Sequence, residues 1–218
     1  MKYGRTFHLT FSHCSNDDKI LDDNSYFLNK EIVLTSKLDG SNVSLDCENV
    51  FARSHAHIPT HPSFNLLKQI HSELKYSIDS NLMIYAEYVF AQHTLKYTQL
   101  PSYLQVFNIL DKNSHTFLSW DDVELVCNTL NISTVPVLFR GKVKTEKELE
   151  KLVLSLSEEK EFDIDDREGV VVRVASAFKT PKFSVSIAKY VKKSFTESIG
   201  DEHWKHKNIV KNGLKKYY

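Results

Sequence analysis

The sequence has few cysteines, and they are spread far apart. There are three in 218 residues, at positions 14, 47 and 127, and none forms a C-x-x-C pair. Paired cysteines are what a disulfide framework or a cysteine-based zinc site requires. Their absence argues against both, and it favours a reducing, cytosol-like compartment.

Long hydrophobic runs are also lacking. No run approaches the ~18 apolar residues that a membrane-spanning helix needs. The N-terminal stretch MKYGRTFHLTF alternates polar and apolar residues and has no apolar core of the signal-peptide kind. We therefore expect a protein that is not secreted and has no membrane partner. It would be cytoplasmic, or a viral protein acting in the host cytoplasm.

Glycine and proline are scarce, with six and five residues, and nowhere do they gather into a linker. The sequence also has no internal repeat and no low-complexity segment. A chain of this length that is 41% hydrophobic can form one sizeable core. These features predict a single domain over residues 1–218.

An excess of one charge is absent overall, since the formal net charge is zero. The distribution is uneven, however. From Lys182 onwards there are nine lysines, no arginine and three acidic residues, so this part carries about +6 and the remainder about −6. Such a tail suits an anionic partner such as nucleic acid, or it is a solvated basic helix or disordered segment from residue 205.

Strand-like segments dominate the rest of the sequence. Residues 31–36 and 43–46 have the composition of strands, and the turn at Asp39 between them predicts a hairpin. Capping boxes that begin at Ser119 and Thr145 predict helices to about residues 130 and 156. Because helices are interspersed without a regular βαβ repeat, we predict an α+β fold, with antiparallel sheets flanked by helices.

Six short motifs occur in order along the chain. They are KLDGSN (37–42), FARS (51–54), IYAEY (84–88, continuing as VFAQHTLKY), LQVFNI (104–109), REGVVVR (167–173) and IAKYVKK (187–193). Together they resemble the motifs of the covalent nucleotidyltransferases, the superfamily of polynucleotide ligases and messenger-RNA capping enzymes. The short spacing from K-x-D-G-x-N to R-S is most similar to ATP-dependent RNA ligases of the RNA ligase 2 type.

This resemblance implies the nucleotidyltransferase (adenylyltransferase) domain of ATP-dependent ligases. It implies an enzyme that joins RNA 5′-phosphate and 3′-hydroxyl ends through a lysyl–AMP intermediate and an adenylylated RNA end. ATP and Mg²⁺ or Mn²⁺ would be the cofactors, and RNA the partner of a monomeric protein. The alternatives are a capping-type guanylyltransferase, a DNA ligase core and a catalytically inactive RNA-binding domain.

Lys37 is the candidate nucleophile. An ε-amine attacks only when neutral, and its reference pKa is about 10.4. Desolvation and a nearby cation lower that pKa, and Lys189 and Lys192 would supply the cation and meet the α-phosphate. Asp39 and Gly40 would expose Lys37 at a sheet edge, with Gly40 letting phosphate approach the backbone. An isolated K-x-D-G is more often a plain surface turn.

Two glutamates are the candidate metal ligands. Glu87 and Glu168 lie at strand ends in apolar surroundings, where a lone carboxylate is costly unless it is hydrogen-bonded or binds a metal. The resemblance implies that Glu87 contacts the ribose hydroxyls and that Glu168 assists transfer together with a hard cation. Solvated strand-end acids are the simpler interpretation.

Three further residues complete the predicted nucleotide site. The resemblance implies that Phe107 stacks on adenine, although most aromatics in such a strand belong to the core. Arg53 would bind a ribose or phosphate oxygen, for which a guanidinium fork is suited. Asn42 would hold phosphate or the RNA end.

The sequence departs from the family pattern in three places. The last motif usually has two lysines one residue apart, whereas here Lys192 or Lys193 must serve as the second. Position 36 is serine where the RNA ligase 2 type often has an acid. The chain ends 25 residues after Lys193. We therefore expect no separate C-terminal RNA-binding domain, only a basic tail at about 200–218.

Three smaller motifs have simple interpretations. The histidines at 55, 57 and 61 fit a polar loop better than a zinc site, which needs a fourth ligand. The acidic run at 163–166 fits an exposed turn. The HWKHK stretch at 203–207 could stack on RNA or pack Trp204 against the fold.

Overall fold

The computed structural model describes residues 1–14, 18–54, 57–160, 162, 167–198 and 208–216. His55, the acidic run at 163–166 and the HWKHK stretch lie outside the described residues. Of the predicted basic tail, only residues 208–216 are described. Among the described residues, no helix has the length and apolar character needed to cross a membrane.

The described part of the chain contains twelve strands and five α-helices. The strands are β1 Phe7–His8, β2 Glu31–Lys37, β3 Ser41–Leu45, β4 Val50–Ala52, β5 Leu82–Tyr88, β6 Leu104–Asp111, β7 Thr116–Phe117, β8 Ser133–Thr134, β9 Val137–Lys142, β10 Gly169–Val174, β11 Phe178–Lys179 and β12 Ile187–Val191. The helices are α1 Asn65–Leu74, α2 Trp120–Thr129, α3 Glu146–Ser157, α4 Phe183–Ser186 and α5 Lys193–Ser198. Short 3₁₀ turns cover Ser25–Phe27, Pro62–Phe64 and Thr180–Lys182.

The strands form two sheets. One has five strands in the order β1-β12-β10-β2-β9, and the other has the order β11-β7-β6-β5-β3-β4 with β8 beside β6. Neighbours are antiparallel except in the β1–β12 and β6–β8 pairs. With helices flanking the sheets, this architecture confirms the predicted α+β class.

The predicted hairpin around Asp39 is wrong. β2 pairs with β10 and β9 in one sheet, while β3 pairs with β5 and β4 in the other. The reason lies in β2, where residues 32–36 are buried without interruption. A strand buried on both faces belongs in the middle of a covered sheet rather than in a half-exposed hairpin. The turn at Asp39 therefore carries the chain from one sheet to the other.

Two hydrophobic clusters fill the layers around the sheets. Val33 faces one cluster, with Ile84, Ile109 and the α2 residue Trp120. Alternate residues of the same strands, such as Ile32 and Leu34, face the other cluster, which α3 covers. The α2 and α3 helices begin at the predicted caps, where the Ser119 and Thr145 side chains accept the backbone N–H groups of residues 122 and 148.

Residues 208–216 pack along the 88–100 segment, and they are neither helical nor detached from the body. Asn212 is 2% exposed, and its amide donates to the carbonyl of Val89 at 2.9 Å. Its side-chain oxygen accepts the backbone N–H of Tyr97 at 2.9 Å. The expected helix or disordered tail is thus replaced, in this stretch, by a surface strap that is held by the buried Asn212.

Candidate active site

A cleft of about 1300 Å³ opens where β2 and β10 of one sheet meet β3, β5 and β6 of the other. It collects nine of the ten site residues that the sequence predicts, and Lys192 is the exception. The nine are Lys37, Asp39, Gly40, Asn42, Arg53, Glu87, Phe107, Glu168 and Lys189.

Lys37 and Glu168 form an ion pair in this cleft. Lys37 is the last residue of β2, and it pairs in register with Gly169, the first residue of β10. That register brings Glu168 alongside, with 2.5 Å between Lys37 Nζ and Glu168 Oε1. Lys37 lies at the end of an interior strand, and the expectation that it sits at a sheet edge is wrong.

The electrostatics around Lys37 differ from the expected lowering of its pKa. Burial alone lowers the pKa of Lys37, but the carboxylates of Glu168, Glu87 and Asp39 together hold it above its ordinary value. Burial raises the pKa of Glu168, and the Lys37 ammonium opposes that rise. A carboxylate with a raised pKa is a better proton acceptor, and here it contacts the Lys37 amine.

Asp39 anchors the turn that follows the lysine. One carboxylate oxygen accepts the backbone N–H groups of Thr94 and Leu95, both at 2.7 Å. Its own backbone N–H donates to the Tyr97 hydroxyl at 2.8 Å. His93 approaches the other carboxylate oxygen at 3.8 Å. Asp39 is 9% exposed. Its contacts hold the crossover between the sheets against the 93–97 loop, and this is its main structural role.

Position 40 requires glycine because a side chain there would clash with its neighbours. A Cβ there would lie 2.7 Å from Val89 Cγ1 and 2.8 Å from the Tyr88 carbonyl oxygen. No described glycine has a positive φ, so the turn needs no left-handed residue. Because Gly40 has no side chain, its backbone can pass close to the end of β5.

Glu87 faces the lysine from the opposite sheet. It pairs in register with Asn42 across β3 and β5 and accepts a hydrogen bond from the Gly40 backbone. Burial raises the pKa of Glu87 to about 8, an effect that the Lys37 ammonium opposes and the Glu168 carboxylate reinforces. This carboxyl group is therefore poised to bind a cation or to donate a hydrogen bond.

Phe107 lies on β6 between the two hydrophobic clusters, partly buried and lining the cleft. The edge of the Tyr3 ring packs against it at a centroid distance of 5.0 Å. An aromatic ring fixed in this way can offer a surface to a flat ligand.

Lys189 projects into the cleft from β12. Burial, followed by the nearby Lys37 ammonium, lowers its pKa, which Asp18 and Glu168 partly restore. Its Nζ lies 3.7 Å from Asp18 Oδ1. This placement puts a second cation in the cleft, near the Lys37 ammonium, and the contact of Lys189 with the α-phosphate stays a prediction.

Neither candidate for the second lysine lies in the cleft. Lys192 Nζ is 2.9 Å from Glu158 Oε2, on a different surface. Lys193 begins α5, is 70% exposed and pairs with Glu197 at 3.5 Å. Because side chains alternate along a strand, the residue on the side of Lys189 is Val191, which is buried.

Several cleft residues escaped the sequence reasoning. Lys2, Tyr3, Arg5 and Asp18 line the cleft from the N-terminal part, for which we recognised no motif. Arg173 lies in a recognised motif but received no role. It is 2% exposed and donates to the Asn108 side-chain oxygen at 3.0 Å. The pairing of β1 with β12 and the packing of Tyr3 bring the first residues here, and no local pattern signals those contacts.

The acidic residues of the cleft suit a hard cation, but most of the ligands of that cation would have to come from groups other than these side chains. In the described part of the chain, no group of three or more His, Cys, Asp or Glu side chains could hold a metal by itself. Glu168 is buried and Glu87 is half-buried, both have raised pKa values, and the charge of Glu168 contributes to the rise at Glu87. Phosphate oxygens and water would complete the octahedral set of oxygens that Mg²⁺ or Mn²⁺ takes.

Comparison with solved structures first defines the fold. The chain is similar to the RNA ligase of Naegleria gruberi solved with PPi, at 16% identity and a TM-score of 0.59 over 93% of this chain and 64% of that one. A mutant of the same ligase with ATP and Mn matches at 16% identity, with a TM-score of 0.57 over 80% of this chain and 53% of that one. An archaeal ATP-dependent RNA ligase also matches at 16% identity, with a TM-score of 0.54 over 78% of this chain and 44% of that one. At such identities the likeness shows the fold alone.

The family follows from the sequence. A model of the RNA ligase family matches residues 30–191, and the chain belongs to that family. No curated protein matches it. The chain spans about half the length of the solved ligases that it resembles.

Proposed function

We propose that this protein is an ATP-dependent RNA ligase of the RNA ligase 2 type, within the covalent nucleotidyltransferase superfamily. It would join RNA 5′-phosphate and 3′-hydroxyl ends through a lysyl–AMP intermediate. The observation that carries the proposal is the Lys37–Glu168 pair at 2.5 Å in a cleft between two sheets. Glu87 and Lys189 complete the surroundings that phosphoryl transfer needs.

In the first step Lys37 becomes the nucleophile. Glu168 accepts the ammonium proton, and the neutral Nζ attacks the α-phosphorus of ATP. A P–N bond forms, and the bond between the α-phosphorus and the oxygen that bridges to the β-phosphate breaks. Pyrophosphate leaves with that electron pair and takes up the second proton that the nitrogen releases as the phosphoramidate forms. Lys189 neutralises charge on the reacting phosphate. The lysine pKa must fall for this step, because Glu168, Glu87 and Asp39 raise it.

ATP would bind across both sheets. Phe107 would stack on adenine, Glu87 would contact the ribose hydroxyls, and Arg53 and Asn42 would bind ribose or phosphate oxygens. Glu87 and Glu168 would hold Mg²⁺ or Mn²⁺. When bound, that cation supplies Lewis-acid polarisation of the phosphate and offsets the carboxylate charge.

Two further transfers would complete ligation. The AMP group passes from Lys37 to the RNA 5′-phosphate, forming an adenylylated end. The neighbouring 3′-hydroxyl then attacks that end, a phosphodiester bond forms and AMP leaves. We take residues 1–218 as a single adenylyltransferase domain of a monomeric, cytoplasmic protein, with the lysine-rich tail contributing to RNA binding.

The test is covalent labelling. The protein is incubated with α-labelled ATP or GTP and Mg²⁺, then denatured and examined for bound label. We expect label from ATP, loss of label in Lys37→Ala, and full label in Lys147→Ala, an exposed lysine of α3 that matches the charge change. No label from either nucleotide, or label that survives Lys37→Ala, would contradict the mechanism.

The same experiment separates the alternatives. Label from GTP alone would indicate a capping-type guanylyltransferase, and no label with retained RNA binding would indicate an inactive binding domain. Joining of a nicked RNA duplex, compared with a nicked DNA duplex, then tests the substrate. We expect joining of the RNA.

A further inference from the structure

The N-terminal segment, residues 1–6, forms one wall of the cleft. Its anchor is Tyr3, whose hydroxyl accepts a hydrogen bond from the Asn108 amide at 3.2 Å. Burial raises the pKa of Tyr3 to about 12, so the phenol stays neutral at physiological pH. The Tyr3 ring packs against four others, from Tyr85, Phe107, Phe117 and Phe183.

Contacts on either side of Tyr3 fix the backbone of the segment. The Tyr85 hydroxyl donates to the Met1 carbonyl at 2.9 Å. A Cβ on Gly4 would lie 2.7 Å from Phe183 Cε1, so the chain passes this ring at close range. Arg5 follows directly, and its position at the cleft is therefore set by packing.

Arg5 and Lys189 converge on one carboxylate. Asp18 Oδ1 is 3.5 Å from Arg5 Nη2 and 3.7 Å from Lys189 Nζ. The parallel pairing of β1 with β12 creates this meeting, since His8 lies in register with Lys189. His8 Nε2 is 3.3 Å from the same oxygen, and burial, with Lys189, lowers the pKa of His8 to about 4. Arg5 and Lys189 thus both approach the Asp18 carboxylate, and Glu168 is a further anion near Lys189.

Two cations therefore lie close together at the Lys189 end of the cleft. Their proximity matters because the expected second lysine is not there: Lys192 pairs with Glu158, and Val191 takes the inward strand position. A guanidinium carries five N–H donors, so it can hold a carboxylate on one side and a phosphate oxygen on another. Arg5 is 47% exposed and can make that second contact.

We propose that Arg5 is the second phosphate-binding cation of this site, acting beside Lys189 in place of a lysine from β12. The inference rests on the proposed function and adds a substrate-contacting residue to it. Its ligand is a phosphate group, which has two sources in this reaction: the terminal phosphates of ATP and the 5′-phosphate of the RNA.

Two assays distinguish these sources. In the first, label formation is followed against ATP concentration, and labelled protein is discharged with pyrophosphate. In the second, labelled protein is given 5′-phosphorylated RNA, and transfer of AMP is followed. Wild type, Arg5→Ala, Arg5→Lys and the Lys147→Ala control are compared in both.

We expect Arg5→Ala to weaken at least one assay by about tenfold or more, the scale of a lost charged hydrogen bond. Arg5→Lys should recover part of the loss because it keeps the charge. A higher KM for ATP with weaker discharge assigns the contact to the terminal phosphates. Slower transfer with normal labelling assigns it to the RNA. Wild-type behaviour of Arg5→Ala in both assays would overturn the proposal.

Asp18→Asn tests whether Arg5 acts only by positioning Lys189 through the shared carboxylate. If Arg5 contacts phosphate, Asp18→Asn keeps both cations and should retain most labelling. A defect equal to that of Arg5→Ala in every assay would overturn the direct contact. Thermal unfolding of each variant shows whether it folds, and Arg5→Lys replaces Arg5→Ala if the latter does not. A wild-type chain that takes no label would overturn the proposed function as well.

Discussion

At the scale of single residues, the cleft places several carboxylates around one lysine, so their negative charge is only partly balanced. Glu87 shows this most clearly, because burial raises its pKa to about 8. A raised pKa means that the folded protein holds the carboxyl proton more tightly than the unfolded chain does. The charged form therefore destabilises the fold as the pH rises from about 4.5 towards 8.

Glu87→Gln should relieve this cost. We expect its free energy of unfolding to match the wild type near pH 4 and to exceed it increasingly up to pH 8. The gain should be at least about 1 kcal/mol, since one unit of raised pKa corresponds to about 1.4 kcal/mol. Denaturant unfolding at several pH values measures it. Glu73→Gln, on the exposed face of α1, is the control and should show no such trend.

The same substitution should abolish or strongly reduce labelling by ATP, because it removes the proposed ribose and metal contact. A variant that is both more stable and less active would identify Glu87 as a residue kept for function. An equal stability gain at pH 4 and pH 8 would contradict the raised pKa.

At the scale of elements, β10 holds the site together. It lies between β2 and β12, so its two registers place Glu168 beside Lys37 and bring Lys189 to the same region. Gly169 pairs with Lys37 of β2 on one side and with Val191 of β12 on the other. A Cβ there would lie 1.9 Å from the Tyr190 carbonyl oxygen, and backbone cannot move aside as a side chain can.

Gly169→Ala should therefore force β10 and β12 apart. We expect a loss of more than about 2 kcal/mol in the free energy of unfolding, the range of backbone strain combined with lost pairing. Labelling should fall with it. Gly141→Ala is the matched control, since its nearest neighbour is the Phe139 ring, which can turn away. Equal stability of the two variants would contradict this account.

At the scale of the whole molecule, distant parts of the chain support the turn after Lys37. The 208–216 strap holds the 88–100 segment through Asn212, which bonds Val89 and Tyr97. Tyr97 in turn accepts the backbone N–H of Asp39. Two hydrogen-bonded residues thus connect the C-terminal strap to the crossover between the sheets.

Asn212→Ala should weaken both stability and activity. It leaves a buried carbonyl and a buried N–H without their partner, at a cost of about 1–3 kcal/mol. Thermal unfolding measures this loss, and ATP labelling measures the effect on the turn. Lys216→Ala, an exposed position in the same strap, should leave both unchanged. A stability loss without any change in labelling would show that the strap does not reach the site.

The features that were predicted correctly depend on residues close together in the sequence, whereas those that were predicted wrongly depend on residues far apart. The nine cleft residues were identified because each lies in a short motif that resembles a motif of the covalent nucleotidyltransferases. The capping boxes at Ser119 and Thr145 are local too, and the helices begin there. The sheet to which β2 belongs, and the side towards which Lys192 turns, depend on partners far along the chain.

The N-terminal segment illustrates this limit. Tyr3 and Arg5 reach the cleft because Tyr3 packs against rings from later elements and because β1 joins a strand about 180 residues later in the chain. No periodicity or turn residue in the first ten positions encodes that partner. Expectations about Lys37 failed for a related reason, because its pKa is governed by carboxylates from two sheets.

The site at the Asp39 crossover is completed late in synthesis. Lys37 is made early, but its neighbours Glu168 and Lys189 come from the last third of the chain. Under the proposed function, a partly synthesised polypeptide would carry the nucleophile without Glu168, the proposed proton acceptor, and without the Lys189 cation. Chain order alone would then keep the nascent chain from taking AMP.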